Sequence, residues 1–500
     1  MKGFLMRFRT FGMSVLAVAP LAVLALSPAE EKIAAAVTAD SMRGHVSFLA
    51  SDALQGRDTP SPGLEVAAEY IAAQYRRFGL QPMPGGSYFQ LAPYTVTRQS
   101  MDGFRFELTG GEKPLSIDPA RALLVGGEQE SFEGVECVKV SFKQEDSPVP
   151  ERTVVEGKVV LLESSLFRTP AMAAKRDALL ALGARMVVMP GFVMQGPRLT
   201  AGEAAATAGR SPLLVTSDPA LRGLIGPLAD GPVTLKASGV LPAAEREMVQ
   251  LKNVIGVLPG FDPELSKTFV LLSAHYDHVG VNSRVQGDDK IHNGANDDAS
   301  GTAVLLELAR AFAGAGQRPK RTLVFAAWFG EEKGLLGARY YAQNPVFALR
   351  NTVANLNFEH MGRTDDVEGP QVGRLTASGF DYTSLGDLLI EAGKATGVEA
   401  WKHERNSDSF FARSDNQAFA DQGVPAITLA VAWIFPDYHR PGDHWEKLDY
   451  DNMARVTRTC AVVVSRVAES AAPPAWVPQG DRNQRYIDAW KALTGTQTAQ

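Results

Sequence analysis

Residues 267–278 read KTFVLLSAHYDH. The run from Phe269 to Ala274 is almost continuously apolar, and it ends abruptly in two histidines and an aspartate. A strand covered on both faces loses the usual apolar–polar alternation, so this run predicts a buried strand with its chemistry at the end. The pattern recurs. Residues 321–329 (RTLVFAAWF) stop at Gly330-Glu331-Glu332, and 352–359 stop at Glu359-His360. Residues 253–257 and 425–431 read as further strands, while 300–313, 385–396 and 451–469 read as helices. Apolar strands alternating with helices predict an α/β fold, with a mixed, mostly parallel central sheet flanked by helices. Ligands in such sheets bind beyond the strand ends.

Working outward, residues 30–90 read as helical. Within them 63–78 place Val66, Ala67, Tyr70, Ile71 and Tyr75 on one face, Gly79 acts as a stop, and 52–62 form a loop of turn formers. From about Met101 short β-like runs appear at 121–125, 135–142, 157–162, 184–190 and 211–215. They are interspersed with helical patterns at 171–182 and 221–225. We read 101–244 as a smaller β-rich α/β domain inserted into a discontinuous domain of 30–100 and 245–475, with 476–500 as a tail. The first 29 residues stand apart. Lys2, Arg7 and Arg9 precede an apolar run at 15–26 and the small-residue site Ser27-Pro28-Ala29, the layout of a secretory signal peptide. The apolar run is shorter than the ~20 residues a spanning helix needs. Cleavage near Ala29, export to the periplasm or medium and no stable membrane insertion are therefore expected.

The 500 residues carry a formal net charge of −6, which excludes a strongly basic footprint and with it a nucleic-acid partner. The only two cysteines, Cys137 and Cys460, are too few for a cysteine metal site and read as buried small hydrophobes.

Five polar clusters fall at or after the apolar strands: HYDH (275–278), GANDDASG (294–301), GEEKGLLG (330–337), NLNFEHMGR (355–363) and YHRPGDHWEKLDY (438–450). Each alone has a plain explanation as a turn, a helix cap or a solvated charge pair. In a strand, residues two apart share a face, so His275 and Asp277 can point the same way. Asp297 and Asp298 exceed what a cap requires, and one carboxylate can bridge two cations. Glu331 and Glu332, adjacent at a strand end, point in different directions and can hold different tasks. Histidines and carboxylates without cysteine suit zinc held by nitrogen and oxygen. They also suit a hydrolase in which paired ions ~3.5–4 Å apart clamp attacking and leaving oxygens.

These five segments, in this order, resemble the co-catalytic di-zinc aminopeptidases of peptidase clan MH, a family that includes bacterial leucine aminopeptidases, aminopeptidase Y and glutamate carboxypeptidase. The resemblance covers about residues 40–100 and 246–470. It implies two Zn2+ per chain and peptide substrates. His275 would bind one zinc with Asp277 orienting it, and Asp297 would bridge both through a loop whose 297–298 peptide is often cis. Glu331 would be the base that takes a proton from the attacking water. Glu332 and His439 would bind the second zinc. Glu359 would complete the first site, where many relatives carry Asp. Tyr438 would help stabilise the oxyanion. His278 and His360 flank the site, while His45, His292, His403 and His444 are expected to be structural or exposed. The 101–244 insert resembles a protease-associated domain in GKVVLLESS, GARMVVMPG and SPLLVTSD. Glutaminyl cyclase-like acyltransferases with one zinc, carboxypeptidase-type specificity and non-enzymatic binding proteins on this scaffold remain alternative readings.

Overall fold

The strand Phe269–His275 pairs in parallel with Thr322–Trp328 on one side and Thr352–Phe358 on the other. Its own apolar run is thereby buried on both faces. The computed structural model describes residues 25–166, 169–193, 196–202, 211–283 and 285–495. Most of the expected signal peptide therefore lies outside the described residues.

The chain divides into two compact units, Met1–Gln90 with Lys252–Gln500, and Leu91–Leu251. The division falls inside two long strands, Phe89–Gln99 and Ala244–Leu258, which carry the chain out of the larger unit and back. The expected insert, 101–244, lies within the second unit, which takes in ten further residues at its start and seven at its end.

In the larger unit the sheet order runs Glu399–Ala400, Arg374–Ala377, Ala426–Ala430, Thr352–Phe358, Phe269–His275, Thr322–Trp328, Ala244–Leu258. The middle four strands are mutually parallel, and strands at both sides run antiparallel to them. The sheet is mixed and mostly parallel at its centre, as expected. Alternate residues of the central strands face opposite sides. Leu271, Val324, Ala326 and Trp328 share a core with Tyr341 and Phe419, where the Trp328 and Phe419 rings lie 5.8 Å apart. The helix Ser300–Ala313 packs on the same three strands. The parallel register pairs His275 with Trp328 and Ser273 with Asn357, so the ends that lead to Glu331 and Glu359 open on one edge.

Several expectations met tertiary exceptions. The helix Pro62–Phe78 is capped by Ser61, whose side chain accepts from the Leu64 N–H, and it ends at Gly79 in the left-handed region, φ 82°. Its buried face is Leu64, Ala67, Ala68, Ile71, Ala72 and Tyr75, whereas Val66 is 47% exposed. Residues 30–90 are not helical throughout, because a strand begins at Phe89. The tail contains a helix, Gln484–Thr494, that was not expected. Among the described residues no helix is long and apolar enough to cross a membrane. Cys137 and Cys460 are free and buried.

The second unit is built on an eight-stranded sheet in which four consecutive strands, Glu130–Phe142, Val159–Ser164, Met186–Pro190 and Leu213–Thr216, are parallel. Val159 and Leu161 enter one core cluster, while Val160 and Leu162 enter another on the opposite face. It is a β-rich α/β unit with helices at Pro170–Ala181 and Pro219–Ile225.

Candidate metal centre

His275 ends its strand with the ring completely buried. Its Nδ1 donates to the Asp277 carbonyl oxygen at 3.2 Å, with the Asp277 carboxylate at 3.5 Å. That bond leaves the lone pair on Nε2, which lies 3.3 Å from Asp297 Oδ1. Asp277 thus orients His275 first through its backbone. Its carboxylate accepts the Glu331 N–H at 3.0 Å and the Thr59 hydroxyl at 3.2 Å, tying the ends of two strands together.

Asp297 lies in a tight turn, Ala295–Ala299, that feeds the helix Ser300–Ala313, and the Asp297–Asp298 peptide is cis. Three supports hold this turn. Buried Asp443 accepts the N–H groups of Asn296 and Asp297 at 3.0–3.1 Å. Asn296 Oδ1 accepts the N–H groups of Gly362 and Arg363 at 2.8 and 2.9 Å, fastening the turn to the segment after Glu359. The fully buried Arg57 donates to the carbonyls of Tyr276, Asn293 and Gly294 at 2.7–2.9 Å, and to Leu49 O. Gly301 lets the helix approach, since a Cβ there would stand 2.2 Å from Phe358 O and 2.5 Å from the Asp298 carboxylate.

Asp297 is the hub. Its Oδ1 faces His275, and its Oδ2 lies 3.1 Å from His439 Nε2 and 3.8 Å from His278 Nδ1. Glu332 faces the same two rings, at 3.2 Å from His439 Nε2 and 2.8 Å from His278 Nδ1. Two groups therefore share Asp297: His275, Asp297 and Glu359, and His278, Asp297 and Glu332. In each, the donor atoms lie within 4.8 Å of one another. His439 closes on the second group. His360 Nε2 stands 3.6 Å from both Asp297 Oδ1 and Glu359 Oε1.

Many of these buried atoms have no hydrogen-bond partner: His275 Nε2, both nitrogens of His278 and of His360, Glu332 Oε1 and Glu359 Oε2. A buried polar atom without a partner is costly, and so many facing one another calls for a cation. The charge pattern agrees. Burial opposes charge on His439 and His360, yet the Asp297 carboxylate, with Glu332 for His439 and Glu359 for His360, raises their pKa values to about 10 and about 9. Burial and the Asp297 charge push Glu332 up, but His278 and His439 hold it below the ordinary carboxylate range. The same negative field attracts a metal ion, which displaces those protons on binding. Imidazole and carboxylate donors suit zinc.

Glu331 enters neither cluster. Burial, and then Glu359, Glu332 and Asp415, raise its pKa well above the usual range against the pull of His275. It is a carboxylate with enhanced proton affinity beside a cation site. The Tyr438 ring lies against His439, tilted by 34° with centroids 4.1 Å apart, and meets His360 edge-on at 5.2 Å. Burial and the Asp297, Glu359, Glu332 and Glu331 charges push its hydroxyl pKa up, so it remains a proton donor.

All eight site residues expected from sequence thus converge. His278 sits deeper in the centre than a flanking role implied. Sequence reading missed Arg57, Asp443 and Asp415. Asp443 was legible in principle, four residues after His439. Asp415 precedes the short helix Asn416–Ala420 and reads as a cap. It is instead fully buried, neither carboxylate oxygen has a partner, and burial with Asp277 and Glu359 lifts its pKa to about 8 against His275. His45, His403 and His444 serve elsewhere, with Tyr70, Glu368 and Asp289 as neighbours at 2.9, 3.1 and 3.2 Å.

Fold and site together define a mixed α/β protein with a buried set of imidazole and carboxylate donors suited to a divalent cation. Residues 253–464 match the model of Peptidase family M28. A probable zinc metalloprotease of Pyricularia oryzae is 33% identical over 253 residues, 50% of this chain and 44% of that protein. Another, from Pyrenophora teres f. teres, is 42% identical over 245 residues, 45% of this chain and 50% of that one. The chain thus spans about half the length of these relatives. Among solved structures, an aminopeptidase from Aneurinibacillus sp. strain AM-1 superposes with a TM-score of 0.63 at 19% identity, covering 90% of this chain and 98% of that one. BSAP, a zinc aminopeptidase from Bacillus subtilis, gives 0.54 at 16% identity, covering 89% and 97%. At such identities the likeness is one of fold.

Proposed function

We propose that this protein is an exported zinc metallopeptidase of aminopeptidase type that holds two Zn2+ and removes N-terminal residues from peptides. One observation carries the reading: Asp297 is shared by two largely buried ligand clusters, with the basic carboxylate of Glu331 beside them and bonded to neither. When bound, zinc polarises a carbonyl and makes water a nucleophile near neutral pH. Glu331 takes the proton from the attacking water and passes it to the leaving amine. Asp277 holds both His275 and the Glu331 backbone, so the base and the ligand keep register. Tyr438 donates its hydroxyl to the oxygen that gains charge. Residues 101–244 are read as a protease-associated domain.

The test is a panel of fluorogenic aminoacyl substrates, their N-blocked counterparts and C-terminally free peptides, run beside metal analysis. Turnover of free but not N-blocked substrates with two zincs per chain is expected. Cleavage only from the carboxyl end would replace the specificity, cyclisation of N-terminal glutamine with one zinc would replace the reaction, and no turnover with metal bound would leave a binding protein. Export is tested by sequencing the N-terminus of protein recovered outside the cytoplasm. A start near Glu30 is expected, and an intact Met1 would count against cleavage.

A further inference from the structure

We propose that His278 is a ligand of the second metal ion, through Nδ1, alongside Asp297, Glu332 and His439. This rests on the two-zinc reading. The His278 ring is completely buried, and its Nδ1 lies 2.8 Å from Glu332 Oε1. At that separation the two atoms would ordinarily form a strong hydrogen bond. They do not: neither His278 nitrogen and not Glu332 Oε1 has a hydrogen-bond partner, so the approach lacks N–H···O alignment. Two buried polar atoms that come together without pointing at one another converge on a common third partner. His278 Nδ1 lies 2.8 Å from Glu332 Oε1 and 3.8 Å from Asp297 Oδ2, separations that ligands ~2.0–2.2 Å from a single zinc ion satisfy. His439 Nε2 completes the group from the open side, 3.1 Å from Asp297 Oδ2 and 3.2 Å from Glu332 Oε2.

The ring position is built, not incidental. The His278 backbone N–H donates to Arg57 O at 3.3 Å, and the ring packs over Gly294. A Cβ on Gly294 would stand 2.5 Å from His278 Cγ and 2.6 Å from Cδ2, so any side chain there would expel the ring.

The consequence is an asymmetric pair. The second site has four protein donors, and four protein ligands close a zinc site. The first has three, His275, Asp297 and Glu359, and three leave a coordination position open. Substrate and water are thereby directed to the His275 side, while the His439 side retains its ion more tightly.

Diffraction from crystals of the zinc-loaded full chain, recorded on both sides of the zinc edge, reads the proposal directly. A zinc–Nδ1 distance of ~2.0–2.1 Å at His278 is expected. Two bound zincs with His278 Nδ1 beyond about 3 Å of the nearer ion would overturn it and leave the two-zinc reading standing. No zinc at either site would overturn both. In solution, His278→Gln should weaken one of the two zincs to a chelator by at least about tenfold, with the other unchanged. It should also alter the visible spectrum of cobalt placed in the second site. An unchanged spectrum and chelator titration in a folded variant would contradict the proposal. If the variant misfolds, the wild-type diffraction still decides.

Discussion

Glu331 and Glu332 are consecutive, yet their surroundings separate them. Glu331 hangs from Asp277 through its backbone N–H, with a carboxyl whose proton affinity burial has raised, while Glu332 lies between two imidazoles. Glu331→Gln should therefore retain both metal ions and the fold while kcat falls ~10²–10⁴-fold, the range a positioned acid–base group contributes. Glu332→Gln should lose metal from the second site and regain part of its activity in excess zinc. Near-normal turnover in Glu331→Gln would remove it as the base, and exchanged behaviour would reverse the two roles. His45 shows burial acting on a residue outside the site. It is 6% exposed and bonded to Tyr70, and burial pulls its pKa to about 4 from an unfolded value of 6.5, with Glu307 opposing. Between those values the unfolded chain binds the extra proton, so stability from neutral His45 is complete above pH 6.5 and is lost as pH falls toward 4. The loss between pH 7 and pH 5 should be about 2 kcal/mol. Urea titrations of wild type and His45→Gln at both pH values measure it, and equal pH dependence in the two proteins would refute it.

At the scale of elements, the centre depends on strand ends and turns that one buried cation fastens together. Arg57 is pushed down by burial to about 10, still far above neutrality, and it spends its donors on four backbone carbonyls. Two of these belong to the segments that carry the His275–His278 group and the Asp297 turn. Arg57→Met leaves several buried acceptors unsatisfied. It should cost about 3–5 kcal/mol and lower zinc affinity at both sites, because Asp297 belongs to both. Denaturant midpoints with metal titration would show this. A variant of wild-type stability would make Arg57 a bystander.

For the whole molecule, at least four carboxylates, Asp297, Glu331, Glu332 and Glu359, are gathered in one poorly solvated place. Such a gathering is held by the cations it binds. A ligand present at about 1,000 times its Kd adds ~4 kcal/mol to the folded state per site. Chelation should therefore lower the Tm of the full chain, zinc should restore it, and Asp297→Asn should be insensitive to both. Calorimetry that found the wild-type Tm indifferent to chelator would argue against any metal held by these residues.

The sequence by itself determined the strands Phe269–His275 and Thr322–Trp328, because a strand buried on both faces must be apolar at nearly every position. It placed the helices Ser300–Ala313 and Leu385–Thr396 by periodicity, and it put the ligand-type residues at strand ends. It did not show the strand at Phe89–Gln99, where Pro93 and alternating polar residues blur the pattern. Nor did it show that Asp415 and Asp443 are buried, since an aspartate before a helix or in a turn looks the same whether wet or dry. Which carboxylates and imidazoles share one dry space depends on the order of strands in the sheet. Phe269–His275 lies between partners that begin about fifty and eighty residues further along the chain. Only that non-local pairing brings His275, His278, Asp297, Glu332, Glu359 and His439 together in two clusters that share Asp297, and only burial there makes an unpaired nitrogen or oxygen costly enough to call for a cation.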